Sequence, residues 1–294
     1  MKVVIGLPAY NEEKNIASII MRLKQVSDAI IVCDDGSSDL TAKIASGLGA
    51  ITIIHPKNIG YGAAIGSLFT KAREIEADVL VTFDADGQHK IDDINSVLEP
   101  ILKNEADIVI GSRFLNNDDN VPKYRKIGIK TITGLTNVTT GNKITDAQSG
   151  FRAYNKNVLQ SIILSEHGMG VSTEILVKAA RNKFRIIEVP ITILYEGDTS
   201  THNPVSHGAS VVFSTIKYVA LERPLSFYGI PGFVFLGIGL FFVAWTLQLF
   251  AESGEIITNV SLIGIGCTII GVLLLMTASI LHSMVVIIRE QRRQ

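Results

Sequence analysis

Two stretches near the carboxyl end, Ser226–Phe250 and Ile256–Ile288, contain no Asp, Glu, Lys or Arg. Each exceeds the roughly 20 apolar residues needed to cross a hydrocarbon core, and buried helices of soluble proteins seldom stay uncharged for so long. A pair of transmembrane helices is therefore expected, and Gly229, Gly232, Gly237 and Gly239 in the first and Gly264, Gly266 and Gly271 in the second suit their close packing. Lys217, Arg223, Arg289, Arg292 and Arg293 flank the outer ends, whereas the connection Ala251–Glu255 carries only Glu252 and Glu255. The positive-inside rule then puts both termini in the cytoplasm.

The 294 residues leave room for one larger domain ahead of the spans. Its start, MKVVIGLPAYNEE, lacks a basic segment followed by a long apolar one and reads as a first strand rather than a signal peptide. Cys33 on a predicted strand and Cys267 within a span cannot pair, which fits a reducing compartment. A net charge of −1 argues against a nucleic-acid partner.

Short β-branched runs alternate with helical patterns as far as Pro190: Val3–Leu7, Ile30–Cys33, Thr52–Ile54, Val79–Phe83, Ile108–Gly111 and Ile186–Val189 are the expected strands. Such alternation predicts an α/β domain with a mostly parallel sheet and helices on both faces. Open α/β sheets bind ligands beyond the carboxyl ends of their strands. The run Val79–His89, VLVTFDADGQH, ends there in two carboxylates, Asp84 and Asp86. Asp-x-Asp at a strand end can hold Mg²⁺ or Mn²⁺, which take one or two carboxylates and complete their shell with phosphate oxygens and water. At the first strand's end Asn11 is expected to cap a helix, and after the second, in DDGSSD, Ser38 or Asp39 is. That leaves Asp34 and Asp35 free to accept hydrogen bonds from a ribose or base. Asn58–Gly62, NIGYG, is a strand-to-helix loop whose glycines would let backbone approach a ligand closely.

LPAYNEE, CDDGSSD, NIGYGAAI, DADGQH and IGSRF, in this order and spacing over roughly Lys2–Pro190, resemble the family 2 glycosyltransferases of GT-A fold. Within that family DAQSGFRAY (Asp146–Tyr154) and the following spans resemble the dolichol-phosphate mannose synthase group. The resemblance implies a UDP- or GDP-linked nucleotide sugar as donor, a polyprenyl or dolichyl phosphate as acceptor, and transfer of a hexose with inversion. It implies donor contacts from Pro8, Tyr10, Asn11, Glu12, Asp35, Gly60, Asp84, Ala85 and Asp86, a metal on Asp84, Asp86 and Gln88, and acceptor-phosphate contacts from Arg113, Arg125 and Arg152. Asp84, Asp86, Asp146 and Arg113 are the implied catalytic set.

The expected organisation is a cytoplasmic GT-A domain over 1–200, an interfacial linker over 201–225, a two-helix membrane domain over 226–288 and a basic tail over 289–294. Between Val121 and Asn142, Lys123, Arg125, Lys126 and Lys130 are interleaved with Ile127, Ile129, Ile132 and Leu135, a pattern able to lie on a membrane surface. The membrane helices could also carry a homo-oligomer. Mannose synthases have a basic cluster after the last strand, whereas Tyr195–Gly208, YEGDTSTHNPVSHG, holds no Arg or Lys; Ser200, Thr201, His202, Asn203 and His207 would have to serve instead. This stretch resembles archaeal enzymes that load glucose or an N-acetylhexosamine onto dolichol phosphate. A processive polysaccharide synthase would carry Gln-x-x-Arg-Trp on an interfacial helix, but the single Trp245 lies within a span. A catalytically silent nucleotide-binding membrane scaffold would need neither the carboxylate pair nor the arginines.

Overall fold

A computed structural model describes residues 1–115, 123–192, 220, 224–254 and 257–291, with side chains omitted at 123–125 and 288–291. Arg125 as an acceptor ligand, the Tyr195–Gly208 loop, nearly all of the interfacial linker and the side chains of the basic tail therefore lie outside what is described. The chain forms two compact units, Met1–Thr215 and Ile216–Gln294.

The first unit is built on a seven-stranded sheet: β1 (Val3–Ala9), β2 (Ala29–Asp34), β3 (Ile51–Ile54), β4 (Val79–Thr82), β5 (Ile108–Ser112), β6 (Arg152–Asn155) and β7 (Ile186–Pro190). Their order is β3-β2-β1-β4-β6-β5-β7, and every neighbouring pair is parallel except those of β6, which runs antiparallel between β4 and β5. Alternation along each strand splits the core in two. Ile5, Leu7, Val79 and Val81 face α1 (Ile16–Leu23) and α4 (Asp93–Leu102). Val4, Leu80, Ile108 and Ile110 face α3 (Tyr61–Glu74), α6 (Lys156–Ser161) and α7 (Val171–Arg181). Each fully buried Leu, Ile or Phe here contributes about 1.5–3 kcal/mol, and both faces are covered as a parallel sheet requires. Strand order reverses between β1 and β4, so their carboxyl ends flank a crevice at the topological switch point.

Two helices add to this frame. α2 (Thr41–Gly47) follows β2, and Asp39 accepts the Thr41 N–H at 2.9 Å, as expected of that acid. α5 (Lys123–Thr140) turns Ile132, Thr133, Thr136 and Thr139 inward and leaves Ile127, Lys130 and Val138 exposed. It thus packs on the domain and still presents apolar residues beside a lysine outward.

In the second unit a π-helical turn, Leu225–Gly229, leads into the helix Ile230–Ser253; Gly254, at φ 70°, ends that helix, and Thr258–Gln291 returns. Leu225–Ser253 and Thr258–Ile287 are long and apolar enough to cross a membrane, and only 6% and 11% of their most apolar windows is buried. Lipid accepts so much exposed apolar surface; a soluble core would not. The helices touch through glycine: a Cβ on Gly271 would lie 2.6 Å from the Leu236 backbone nitrogen, and Gly239 abuts Thr268. Small residues at the crossing let the backbones approach, the main source of packing energy between helices in lipid.

Candidate active site

Four turns meet at the crevice. After β1, Asn11 does not cap α1, which starts only at Ile16; instead it adopts φ 57° and its Oδ1 accepts from the Ser38 N–H at 2.9 Å and the Ser38 hydroxyl at 3.3 Å. Asn11 N–H in turn donates to Ser37 Oγ at 2.9 Å, Glu12 N–H to Thr41 Oγ1 at 2.8 Å, and Glu13 N–H to Asp39 Oδ2 at 3.1 Å. The LPAYNEE and DDGSSD turns are zipped into one rigid rim. Tyr10 stands exposed on it, while Pro8 and, after β4, Ala85 are buried.

Asp34 and Asp35 are less free than the sequence suggested. Asp34 Oδ1 accepts the Ser37 N–H, at 2.9 Å. Asp35 is only 3% exposed and accepts three bonds: Oδ1 from His55 Nδ1 at 2.7 Å and the Ile59 N–H at 3.0 Å, Oδ2 from the Gly60 N–H at 2.8 Å. Gly60 therefore directs its N–H to Asp35. The close approach that the glycines permit is made by the chain itself: His167 carbonyl accepts the Gly62 N–H at 2.8 Å, and a Cβ on Gly60 would lie 2.5 Å from that oxygen. The first turn of α3 is thus capped from within the protein.

Asp84 and Asp86 follow β4. Asp84 keeps 29% of its side chain exposed; its Oδ2 meets His89 Nε2 at 3.2 Å and its Oδ1 accepts the Tyr61 hydroxyl at 3.3 Å. Asp86 Oδ1 accepts the Gln88 N–H at 2.9 Å. Burial works to raise the Asp84 pKa, but the hydrogen bond and charge of His89 outweigh it and hold the carboxyl below its ordinary value. Asp86 moves the other way, pushed up by burial and then by the Asp84 charge. Across the crevice Glu12 is raised by burial and, more weakly, by Asp86, Asp39 and Asp84. Two crowded carboxylates of this kind fit a hard divalent cation: among the described residues no set of three or more His, Cys, Asp or Glu forms a closed cage, and Mg²⁺ or Mn²⁺ needs only the pair with phosphate oxygens and water.

The signature Asp146–Tyr154 packs directly beneath. Thr82 Oγ1 donates to the Gly150 carbonyl at 2.7 Å. A Cβ on Gly150 would lie 2.9 Å from both Asp84 oxygens and 2.5 Å from the Tyr61 hydroxyl, so only glycine leaves the carboxylate where it is. Asp146 is fully buried and grips Arg113 by two bonds, Nε to Oδ2 at 2.6 Å and Nη2 to Oδ1 at 2.8 Å. Arg113, at the end of β5, keeps 17% of its side chain exposed. Arg152 requires correction: it is 1% exposed in β6, donates to the carbonyls of Ser172 and Ala147, and lies inside the domain rather than at an acceptor phosphate. His89, packed between Phe83 and Phe151, and Tyr61 were not anticipated; the sequence signal was their place inside DADGQH and NIGYG.

Residues 4–163 match the model of glycosyl transferase family 2. The chain belongs to that family. A relative, the UDP-N-acetylglucosamine–dolichyl-phosphate N-acetylglucosaminyltransferase of Methanococcus voltae, is 38% identical over 213 residues, 64% of this chain and 84% of that protein. The dolichyl-phosphate hexose transferase of Haloferax volcanii is 29% identical over 76% of this chain and 95% of its own length. Among solved structures, glucosyl-3-phosphoglycerate synthase from Mycobacterium tuberculosis, in complex with Mn²⁺, UDP and phosphoglyceric acid, superposes with a TM-score of 0.57 at 17% identity, covering 74% of this chain and 78% of that one. The shared GT-A-like fold is what that last likeness establishes.

Proposed function

We propose that this family 2 glycosyltransferase moves a hexose or N-acetylhexosamine from a UDP-linked donor to a dolichyl or related polyprenyl phosphate. The observation that carries it is the Asp84–Asp86 pair at the β1/β4 crevice with the Arg113–Asp146 pair on the neighbouring signature, in a chain ending in two membrane-length helices. The activities for which the two relatives are named support the acceptor, and that of the Methanococcus voltae protein the uridine nucleotide.

In this reading the zipped rim bearing Tyr10, Asn11 and Glu12, with Asp35 behind it, receives the nucleoside. Asp84 and Asp86, with Gln88, would hold the divalent cation, which would offset charge on the departing nucleoside diphosphate. An oxygen of the lipid phosphate attacks the anomeric carbon from the face opposite the leaving group, the bond to the diphosphate breaks, and the configuration inverts. A phosphate monoester has its second pKa near ~6 and is already largely dianionic at neutral pH, so no base need remove a proton. Asp146, bound to Arg113 through both oxygens, orients that guanidinium rather than taking a proton.

Arg113, assigned to the acceptor phosphate, is set in place by a two-bond grip on Asp146 that lysine cannot copy. Arg113→Lys is therefore expected to raise the KM for dolichyl phosphate by about tenfold or more while moving the donor KM by less than about twofold, the loss of a charge-assisted contact made to one substrate only. Equal effects on both substrates would refute the assignment. For topology, the flanking Lys217, Arg223, Arg289, Arg292 and Arg293 support a cytoplasmic catalytic unit with the Glu252–Glu255 turn outside. A cysteine introduced at Ser253 should then react with an impermeant thiol reagent on intact cells; protection there, with labelling of one introduced at Gln294, would reverse the orientation.

A further inference from the structure

β7 is apolar but for one residue. Ile187 and Val189 pack on the α1–α4 side of the sheet and Ile186 on the other, so alternation puts Glu188 on the Ile186 face, half-buried. A carboxylate at such a position needs donors. It has three, all from the start of the signature loop: Oε2 accepts the Thr145 N–H at 2.8 Å, and Oε1 accepts the Asp146 N–H at 2.9 Å and the Thr145 hydroxyl at 3.0 Å. The loop before β6 is irregular, so these two N–H groups have no strand partner there. Thr145 Oγ1 also lies 2.7 Å from Ser112 Oγ, the residue preceding Arg113, and Asp146 grips Arg113 itself. The base of this chain of contacts is stiff, because β7 pairs with β5 in parallel and Glu188 stands opposite Ile110.

We infer that Glu188 is a positioning residue for acceptor binding: by holding Thr145 and Asp146 from β7, it sets where the Arg113 guanidinium points. The inference rests on Arg113 serving the acceptor. Glutamine is the discriminating substitution. Each carboxylate oxygen faces a backbone N–H, so whichever way the amide sits, its NH₂ meets a donor and either Thr145 or Asp146 is pushed away.

Kinetics of the full-length protein in detergent test this, with dolichyl phosphate and whichever of UDP-N-acetylglucosamine, UDP-glucose and GDP-mannose the wild type uses. Glu188→Gln is expected to raise the dolichyl phosphate KM by about tenfold and the donor KM by less than about twofold; in an Arg113→Lys background it should add little, since two changes acting through one guanidinium are not additive. Thr145→Val removes the hydroxyl but keeps both N–H bonds, and should shift the acceptor KM the same way by less. It carries the test if Glu188→Gln does not fold. Ile187→Val, a core change on the other face of the strand, should lower the Tm without altering the ratio of the two KM values, as a merely structural effect would. The inference is overturned by equal rises in both KM values, by full additivity with Arg113→Lys, or, where Glu188→Gln does not fold, by a wild-type acceptor KM in Thr145→Val. If Arg113→Lys itself leaves the acceptor KM unchanged, the acceptor role of Arg113 has failed. If Arg113→Lys raises it and Glu188→Gln does not, the role of Glu188 alone has failed.

Discussion

Replacing Asp86 with alanine is expected to lower the rate of sugar transfer by about 10³-fold or more, the equivalent of about 4 kcal/mol of transition-state stabilisation. The pair is asymmetric. Asp84 is tied down by His89 and Tyr61, whereas Asp86 takes only a backbone N–H among the bonds found, and its carboxyl is raised by burial and by the Asp84 charge. A divalent cation held by the pair, as proposed, would relieve that repulsion. Removing Asp86 leaves Asp84 as the one carboxylate at the end of β4. Asp86 is half-buried and belongs to neither core cluster, so the variant should fold. Steady-state assays over a range of Mn²⁺ concentrations check this, and full activity of the variant in excess EDTA would remove the pair from the mechanism.

Gly150→Ala is the second large effect. The added methyl would sit 2.9 Å from both Asp84 oxygens and 2.5 Å from the Tyr61 hydroxyl, so one of them must move. Overpacking of this kind costs about 1–3 kcal/mol of stability. The larger consequence is for the reaction, because a carboxylate displaced by about 1 Å can cost about 10²-fold in rate. Tm and kcat measured together distinguish the two: loss of kcat by that factor at a temperature well below the variant's Tm is expected, and near-wild-type kcat would show that Asp84 need not hold its present place.

Much of the frame was legible in the residues. The six expected strands all form, because buried parallel strands are nearly continuous apolar runs and leave a plain signal. β6 was not read as a strand. Its four residues, Arg-Ala-Tyr-Asn, carry no apolar run, and only its pairing between β4 and β5 makes it one. The same pairing explains Arg152, since a strand in the middle of a sheet turns its side chains into the two packed faces and not toward a surface ligand. The glycine loop was half legible: spacing announced a close backbone approach, but nothing local could say that His167 and not a ligand would make it. Asn11 looked like a cap from its neighbours alone, and its true partner, Ser38, lies 27 residues away. Glu188 was invisible for a related reason, as a single acid in a short strand reads as a solvent-facing position until the loop above it is known.

The acid pair is legible because its signal is local, two acids at a strand end, while Asp84 is held partly from other segments, by Tyr61 from α3 and Gly150 from the signature, and partly by His89 of its own turn. Family resemblance supplied the order of those segments. Geometry supplied their connections.

The most direct measurement is product formation by the purified full-length protein in detergent, with labelled UDP-N-acetylglucosamine, UDP-glucose or GDP-mannose, with and without dolichyl phosphate, in Mn²⁺ and in EDTA. The account predicts a lipid-extractable sugar phosphodiester, labile to mild acid, from a UDP-linked donor, formed only when dolichyl phosphate and the cation are both present. A product that forms without the lipid phosphate, one that persists undiminished in EDTA, or no lipid product from any of the three donors would contradict it.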